Sequence, residues 1–168
     1  MKKTVSGALA AAAVVVFAAS ADAQTTLATQ NVNATVTVGN QARLTVTGGP
    51  VLFADSDPDL VNPIPAGAPV SVTARARVAP TQQLNVTVSA NNAFFDAGTA
   101  TIPVTGLLWT VGGAPSFLAG AMATTETNVA QWTGAANQAG TQAYTLANSW
   151  SYAPGTWTVI LRYTLSTP

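Results

Sequence analysis

Residues 156–165 read TWTVILRYTL, and they carry the clearest structural signal in the chain. Apolar side chains occupy every second position, at Trp157, Val159, Leu161, Tyr163 and Leu165. Threonine and arginine hold most of the positions between them. A strand that is buried on one face only produces this period of two, and β-branched threonine suits the solvent face. The stretch therefore predicts a β-strand that points its apolar face into a core.

The same period of two recurs along the rest of the chain. It is strong at residues 32–38, 43–47, 70–78 and 84–88, and weaker near 102–111, 128–133 and 142–149. Turn-forming glycine, proline and asparagine separate the runs, and residues 119–127 are interpreted as a loop or one helical turn. We therefore predict an all-β fold, an immunoglobulin-like Greek-key β-sandwich of about eight or nine strands. A closed barrel is the alternative.

The first residues have the layout of a secretory signal peptide. Lys2 and Lys3 give a basic start, residues 8–19 are apolar, and Ala21-Asp22-Ala23 forms a small-residue cleavage pattern. The apolar run is shorter than the roughly 20 residues that a transmembrane helix needs. We expect cleavage after residue 23 and a single β-sandwich domain over residues 24–168 with no membrane span. The protein is then a bacterial one that is periplasmic, secreted or held at the cell surface.

Composition argues against several classes of function. After removal of residues 1–23, four arginines and five acidic residues remain, so we expect no nucleic-acid partner. The chain has no histidine, which removes the commonest general base and the commonest metal ligand. It has no cysteine, so no disulfide supports the fold. We expect neither enzymatic activity nor a cofactor.

Three aspartates at alternate positions, Asp55, Asp57 and Asp59, stand out in a chain that is 7% charged. They are spaced like the start of an EF-hand loop, but that loop needs glycine at its sixth position and glutamate at its twelfth. Leu60 and Ala66 hold those positions here. A looser calcium site and a solvated turn after a short strand at residues 51–54 both fit the residues, and the turn is the favoured interpretation.

A second short motif, Asp96-Ala97-Gly98, resembles the Asp-Thr-Gly loop of aspartic proteases. Those enzymes pair two such aspartates, whose repulsion splits their pKa values. Ala97 lacks the hydroxyl group that braces the loop, and the chain has no second copy of the motif. A plain turn is the favoured interpretation.

Two fragments of the sequence resemble the spore coat U and fimbrial-subunit group of exported bacterial β-sandwiches. These are VLFADSDPDL at residues 51–60 and APGTWTVILRYTL at residues 153–165. Members carry Phe-Gly-x-Tyr-Asp-Pro and end with Gly-Thr-Tyr before an alternating strand. The matching positions are Phe53, Asp57, Pro58, Gly155 and Thr156, whereas Ala54, Trp157 and the absent cysteine pair depart from the pattern. The resemblance implies a surface or coat role, with subunits that exchange a strand.

Residues 32–38, which follow the expected cleavage site, form the first candidate interaction segment. Their apolar positions are Val32, Ala34, Val36 and Val38. Such an alternating segment suits a donor strand that adds to the sheet of a neighbouring subunit. The alternative, which we favour on sequence alone, is that it is the first strand of its own sandwich.

Trp150 and Tyr152 form the second candidate, as neighbours on one face of a strand beside a turn. Exposed aromatic rings in such a place stack on sugars, so the pair suggests a small carbohydrate- or ligand-binding module. The alternative is that the tryptophans fill the core of the sandwich, where large aromatic side chains dominate burial. Arg75 and Arg77 share the solvent face of another strand, where they either pair with Asp96 or Glu126 or guard a sheet edge.

Together these features predict an exported structural or interaction protein of the bacterial cell surface. Few charges would have to be desolvated when such a surface packs against copies of itself. The expected partners are therefore further copies of the chain or other surface proteins. A ligand-binding module that uses Trp150 and Tyr152 is the alternative function.

Overall fold

The computed structural model describes residue 30 and residues 32–95 and 102–168. The predicted signal peptide and the Asp96 motif lie outside the described residues. Contacts divide the chain into two units, Met1–Val36 and Thr37–Pro168. No helix long and apolar enough to cross a membrane is found in the described part of the chain.

The described residues of the second unit form nine β-strands in two antiparallel sheets, which confirms the all-β prediction. The strands are β1 (Gln41–Thr47), β2 (Ile64–Pro65), β3 (Val70–Arg77), β4 (Gln83–Ala90), β5 (Leu107–Gly113), β6 (Gly120–Ala121), β7 (Thr127–Thr133), β8 (Ala136–Leu146) and β9 (Leu161–Ser166). The larger sheet has the order β1-β3-β8-β5-β6, and β2 also pairs with β8. The smaller sheet has the order β7-β4-β9.

The core lies between the facing sides of the two sheets, as the alternation in the sequence requires. In β4, Leu84, Val86 and Val88 point inward, and each is at most 1% exposed. In β3, Val72 and Ala74 are fully buried. The largest buried side chains are Trp109, Tyr144, Leu84, Leu107, Met122 and Gln142.

The two sides of the sandwich are closed to different degrees. At one side, residues 116–118 pair with the edge of β7, where Leu118 N–H donates to Val129 C=O at 2.9 Å and Gln131 N–H donates to Ser116 C=O at 3.0 Å. At the other side, β1 ends the larger sheet and β9 ends the smaller one. No described segment pairs with the outer edge of either strand there.

Several strand boundaries differ from those expected from the sequence. Residues 32–38 form no strand, and β1 begins at Gln41, opposite Arg77, which is the last residue of β3. β9 begins at Leu161 rather than at residue 156. Its partner β4 ends at Ala90, opposite Leu161, so the ladder stops there.

Other elements predicted from weak patterns also shift. β8 begins at Ala136, six residues earlier than expected, and it runs through Gly140. The predicted strand at residues 51–54 is reduced to a single bridge between Phe53 and Ala66. A 3₁₀ turn (Val104–Gly106) precedes β5, and residues 119–127 contain the short strand β6.

Candidate interaction surfaces

The candidate donor segment, residues 32–38, presents unpaired apolar side chains. Val32 is 88% exposed, Val36 is 83% exposed and Val38 is 60% exposed. Ala34 is exposed as well, and none of these residues belongs to a strand. The alternating pattern that predicted a strand is therefore present without a strand partner in the described structure.

An apolar groove runs between β1 and β9. Leu44 pairs with Ala74 and Val46 pairs with Val72, so both β1 side chains face the core side of the larger sheet. Val46 is nevertheless 40% exposed, and Leu44 is only half-buried. Three inward side chains of β9 are likewise half-buried although they pack against the core, namely Leu161, Tyr163 and Leu165.

A surface depression lies at one end of the groove. The depression, near Ser166, has a volume of about 540 Å³ and a mixed lining. Its apolar members are Ala42, Val78, Leu84 and Leu165, and its polar members are Asn40, Gln41, Gln82, Ser166 and Thr167. Among the described residues, β9 pairs only with β4. In an antiparallel ladder an edge strand directs half of its backbone N–H and C=O groups away from its partner, so β9 offers a free row of them.

The aspartate loop, residues 55–59, contains a turn stabilised by its own backbone and side chains. Asp57 Oδ1 accepts a hydrogen bond from Asp59 N–H at 2.9 Å, and Asp57 C=O accepts from Leu60 N–H at 3.0 Å. An aspartate that caps its own turn in this way uses its carboxylate locally. No group of three acidic, histidine or cysteine side chains that could hold a metal ion occurs within the described residues.

Trp150 and Tyr152 do not lie in a strand, so their predicted placement on one strand face is wrong. They lie in a turn, where Tyr152 N–H donates to Ser149 C=O at 3.2 Å. Tyr152 packs against the core, and its burial raises its pKa above the ordinary value. Trp150 is 70% exposed, and its Nε1–H donates to Asp59 Oδ1 at 3.2 Å. Of the two rings, Trp150 is the more exposed.

The four tryptophans divide between core and surface. Trp109 is 2% exposed and Trp132 is 9% exposed, as the alternative interpretation required. Trp157 is half-buried against the core. Trp150 differs because it lies in the turn that follows β8 and not in a strand.

Asn148 joins the aspartate loop to the Trp150 turn, a role that sequence reasoning missed. Its Nδ2 donates to Ser56 C=O at 2.9 Å and to Val61 C=O at 3.1 Å. Its own N–H donates to Asn62 Oδ1 at 3.1 Å. In the sequence, Asn148 is recognisable only as an asparagine that follows a predicted strand. That position does not reveal which loop its side chain binds.

A polar cluster crosses the core beneath β9. Gln142 is fully buried, and its Oε1 accepts hydrogen bonds from the hydroxyl groups of Tyr144 and Tyr163. The two hydroxyl groups lie 2.6 Å apart. Burial is the main cause that raises the pKa of both tyrosines, so both phenols stay neutral at ordinary pH. In the sequence, this cluster could have been found only from Gln142, a polar residue at a position of β8 that points into the core.

Arg75 and Arg77 are both exposed on the outer face of the larger sheet, as expected, but β3 is not an edge strand. Arg75 Nε donates to Asn137 Oδ1 at 3.2 Å, and Arg77 Nε donates to Gly39 C=O at 3.1 Å. The interpretation as guards of a sheet edge is therefore wrong, because β1 covers one side of β3 and β8 covers the other.

Comparison with known proteins adds no relative. No protein-family model matches the chain, and no curated protein matches it significantly.

Proposed function

We propose that the chain is an exported structural protein of the bacterial cell surface whose copies assemble by β-strand addition. Residues 32–38 of one copy are the donor strand, and the groove between β1 and β9 of another copy is the acceptor. The single observation that carries the proposal is the exposure of Val32, Val36 and Val38 in a segment that alternates like a strand but pairs with no strand among the described residues.

Burial of apolar surface would provide the driving force. Each aliphatic side chain that moves from water into an apolar groove contributes about 1.5–3 kcal/mol when fully buried. The half-buried side chains of Leu44, Leu161 and Leu165 supply matching apolar surface in the groove. Backbone hydrogen bonds to the free edge of β9 would fix the register of the added strand.

The proposal also rests on the targeting pattern and the resemblance. A basic start, an apolar run and a small-residue cleavage pattern support export. The fragments at residues 51–60 and 153–165 resemble exported coat and pilus subunits. These features support a location at the cell surface. Strand addition would join the subunits there without disulfide bonds, which this chain cannot form because it has no cysteine.

Point variants of the donor segment test the proposal. Val36→Asp places a charge on the apolar face, whereas Thr35→Asp places the same charge one residue away on the polar face. We expect Val36→Asp to disrupt the wild-type assemblies in negative-stain electron microscopy and Thr35→Asp to retain them. Equal assembly by both variants, or a monomeric wild-type chain, would contradict strand addition.

A ligand-binding module that uses Trp150 is the second candidate, and the 70% exposure of its indole ring favours it. Sugar rings stack on such a surface, and Asp59, which holds the indole N–H, would offer a nearby acceptor for a sugar hydroxyl. Titration with soluble oligosaccharides should then change tryptophan fluorescence in the wild type but not in Trp150→Ala. No fluorescence change in the wild type would reject this function.

A further inference from the structure

The outer face of the larger sheet carries a cluster of arginines that we name the arginine face: Arg43, Arg75 and Arg77. Arg43 lies directly opposite Arg75 in the antiparallel ladder, and Arg77 lies two pairs further along, opposite Gln41. All three side chains are exposed. They are three of the four arginines in residues 24–168, and together they line a surface depression of about 810 Å³.

The arginine face has no acidic partner within the described chain. Hydrogen bonds from Arg75 and Arg77 go to the neutral acceptors Asn137 Oδ1 and Gly39 C=O. Like charges directly opposite each other in a β-ladder are destabilising, with cross-strand pairs contributing about 0.2–1 kcal/mol in either direction. The isolated subunit therefore carries a repulsive pair that an external anionic surface would relieve.

The same chain carries a matching acidic surface at its other end. The aspartate loop holds three of the six acidic residues of the sequence, Asp55, Asp57 and Asp59, and all three are exposed. β8 connects the two surfaces: Asn137 near its start contacts Arg75, and Asn148 just beyond its end holds the loop. At about 3.3 Å per residue, β8 spans about 30 Å between Asn137 and Leu146, so the two surfaces cannot neutralise each other within one copy.

We propose that the arginine face of one copy docks onto the aspartate loop of a second copy. The occupant is a second copy because the opposite charges are equal in number and lie at opposite ends of the same subunit. The two surfaces are different, so each docked pair retains one free arginine face and one free loop, and the contact propagates. This inference rests on the proposed self-assembly and adds a second, electrostatic contact to the strand addition.

Single charge reversals test the contact in the full-length chain. Neither the Arg43 nor the Asp55 side chain forms a hydrogen bond among the described residues, so Arg43→Glu and Asp55→Arg leave the internal bonding intact. Each should weaken self-association about tenfold in sedimentation velocity at 50 mM salt, because each places like charges at the contact. Glu126→Arg, which reverses an exposed acidic residue outside the arginine face, the aspartate loop and the groove, is the matched control and should associate like the wild type.

A mixture of the two charge variants gives the most direct test of the contact. The Arg43→Glu face meets the Asp55→Arg loop with opposite charges, so an equimolar mixture should regain association. Arg43→Glu also replaces the repulsive pair with an attractive one, so its melting temperature should not fall. Wild-type association by both variants, or no recovery on mixing, would overturn the docking.

The outcomes separate this inference from the proposed function. Loss of association in Val36→Asp with normal association in both charge variants would reject the docking and keep strand addition. Loss in both charge variants, recovery in their mixture and normal association in Val36→Asp would keep the docking and reject strand addition. A monomeric wild-type chain would overturn both.

Discussion

At the scale of single residues, Gly140 shows how closely the two sheets approach. It lies inside β8, where a Cβ atom would sit 2.6 Å from Cγ of the Phe117 ring. Phe117 is 5% exposed and belongs to the segment that closes one side of the sandwich against β7. A missing side chain in β8 thus makes room for the ring that joins the two sheets.

Gly140→Ala should therefore destabilise the fold by about 1–3 kcal/mol, because the ring or the strand must move. Gly67→Ala is the matched control, since its nearest contact would be Leu52 C=O at 3.9 Å. The control should change the free energy of unfolding by less than about 0.5 kcal/mol in urea denaturation. Equal stability of the two variants would show that the Phe117 contact is not tight.

The buried phenol of Tyr144 should make the folded protein less stable at alkaline pH. Burial raises its pKa above the ordinary value of about 10, so it ionises more readily in the unfolded chain. Below pH 10 the phenol is neutral in both states and adds no pH dependence. Above pH 10 the unfolded chain releases the proton first, so the free energy of unfolding falls as the pH rises.

The expected size is up to about 1.4 kcal/mol between pH 10 and pH 11 for this one tyrosine. Urea denaturation of the wild type and of Tyr144→Phe at the two pH values measures it. The variant should lose less stability than the wild type over this interval. An equal loss in both proteins would contradict the raised pKa.

At the scale of elements, β9 is the strand whose behaviour depends most on assembly. It has one ladder partner in the described structure, and its apolar side chains are only half-buried. β4 lies between β7 and β9, and its inward side chains are almost fully buried. In the smaller sheet, β4 is therefore paired on both sides, whereas β9 is paired on one side only among the described residues.

Hydrogen–deuterium exchange should detect strand addition at this edge. Amide hydrogens of β9 should exchange more slowly in wild-type assemblies than in Val36→Asp, because a donor strand would bond those that face away from β4. The β4 amides should exchange equally in both proteins and serve as the internal control. Unchanged exchange in β9 would place the contact between copies elsewhere.

Strands with long ladders are predictable from the alternation in the sequence. Strand ends are not, because they depend on where a partner strand that is distant in the sequence stops. Residues 70–77 and 84–88 alternate strictly and form β3 and β4. Residues 156–160 alternate just as well, but they form no ladder because β4 ends at Ala90. There the Asn91 side chain accepts from Ile160 N–H at 2.9 Å in place of a strand partner.

The candidate surfaces were predictable to a similar extent. The apolar positions of residues 32–38 were evident from their period, but the absence of a partner follows only from where β3 ends. Arg75 and Arg77 were expected on one face, whereas Arg43 joins them only through the register of β1. Tyr152 was misplaced because a local pattern does not reveal that Ser149 begins a turn.

At the scale of the whole molecule, the proposed assembly combines an apolar contact with an electrostatic one. Raising the salt concentration from 0.1 M to 1 M shortens the Debye length from about 10 Å to about 3 Å. Association of the wild type should weaken over this range, because the arginine face and the aspartate loop are exposed. The residual association at high salt should come from strand addition and should vanish in Val36→Asp.

Arg43→Glu supplies the control for this salt series. Its association should respond little to added salt or should strengthen, since screening removes the repulsion that the variant introduces. A wild-type chain whose association does not depend on salt would contradict the electrostatic contact.

Cryo-electron microscopy of the assembled wild-type chain tests the central proposal most directly. We expect residues 32–38 of one copy to lie in the groove between β1 and β9 of another copy. There they would pair with β9 and extend the smaller sheet from three strands to four. Val32, Ala34, Val36 and Val38 should then point into the core of that second copy. A map in which residues 32–38 pair within their own sandwich, or in which β9 keeps a free edge between copies, would contradict it.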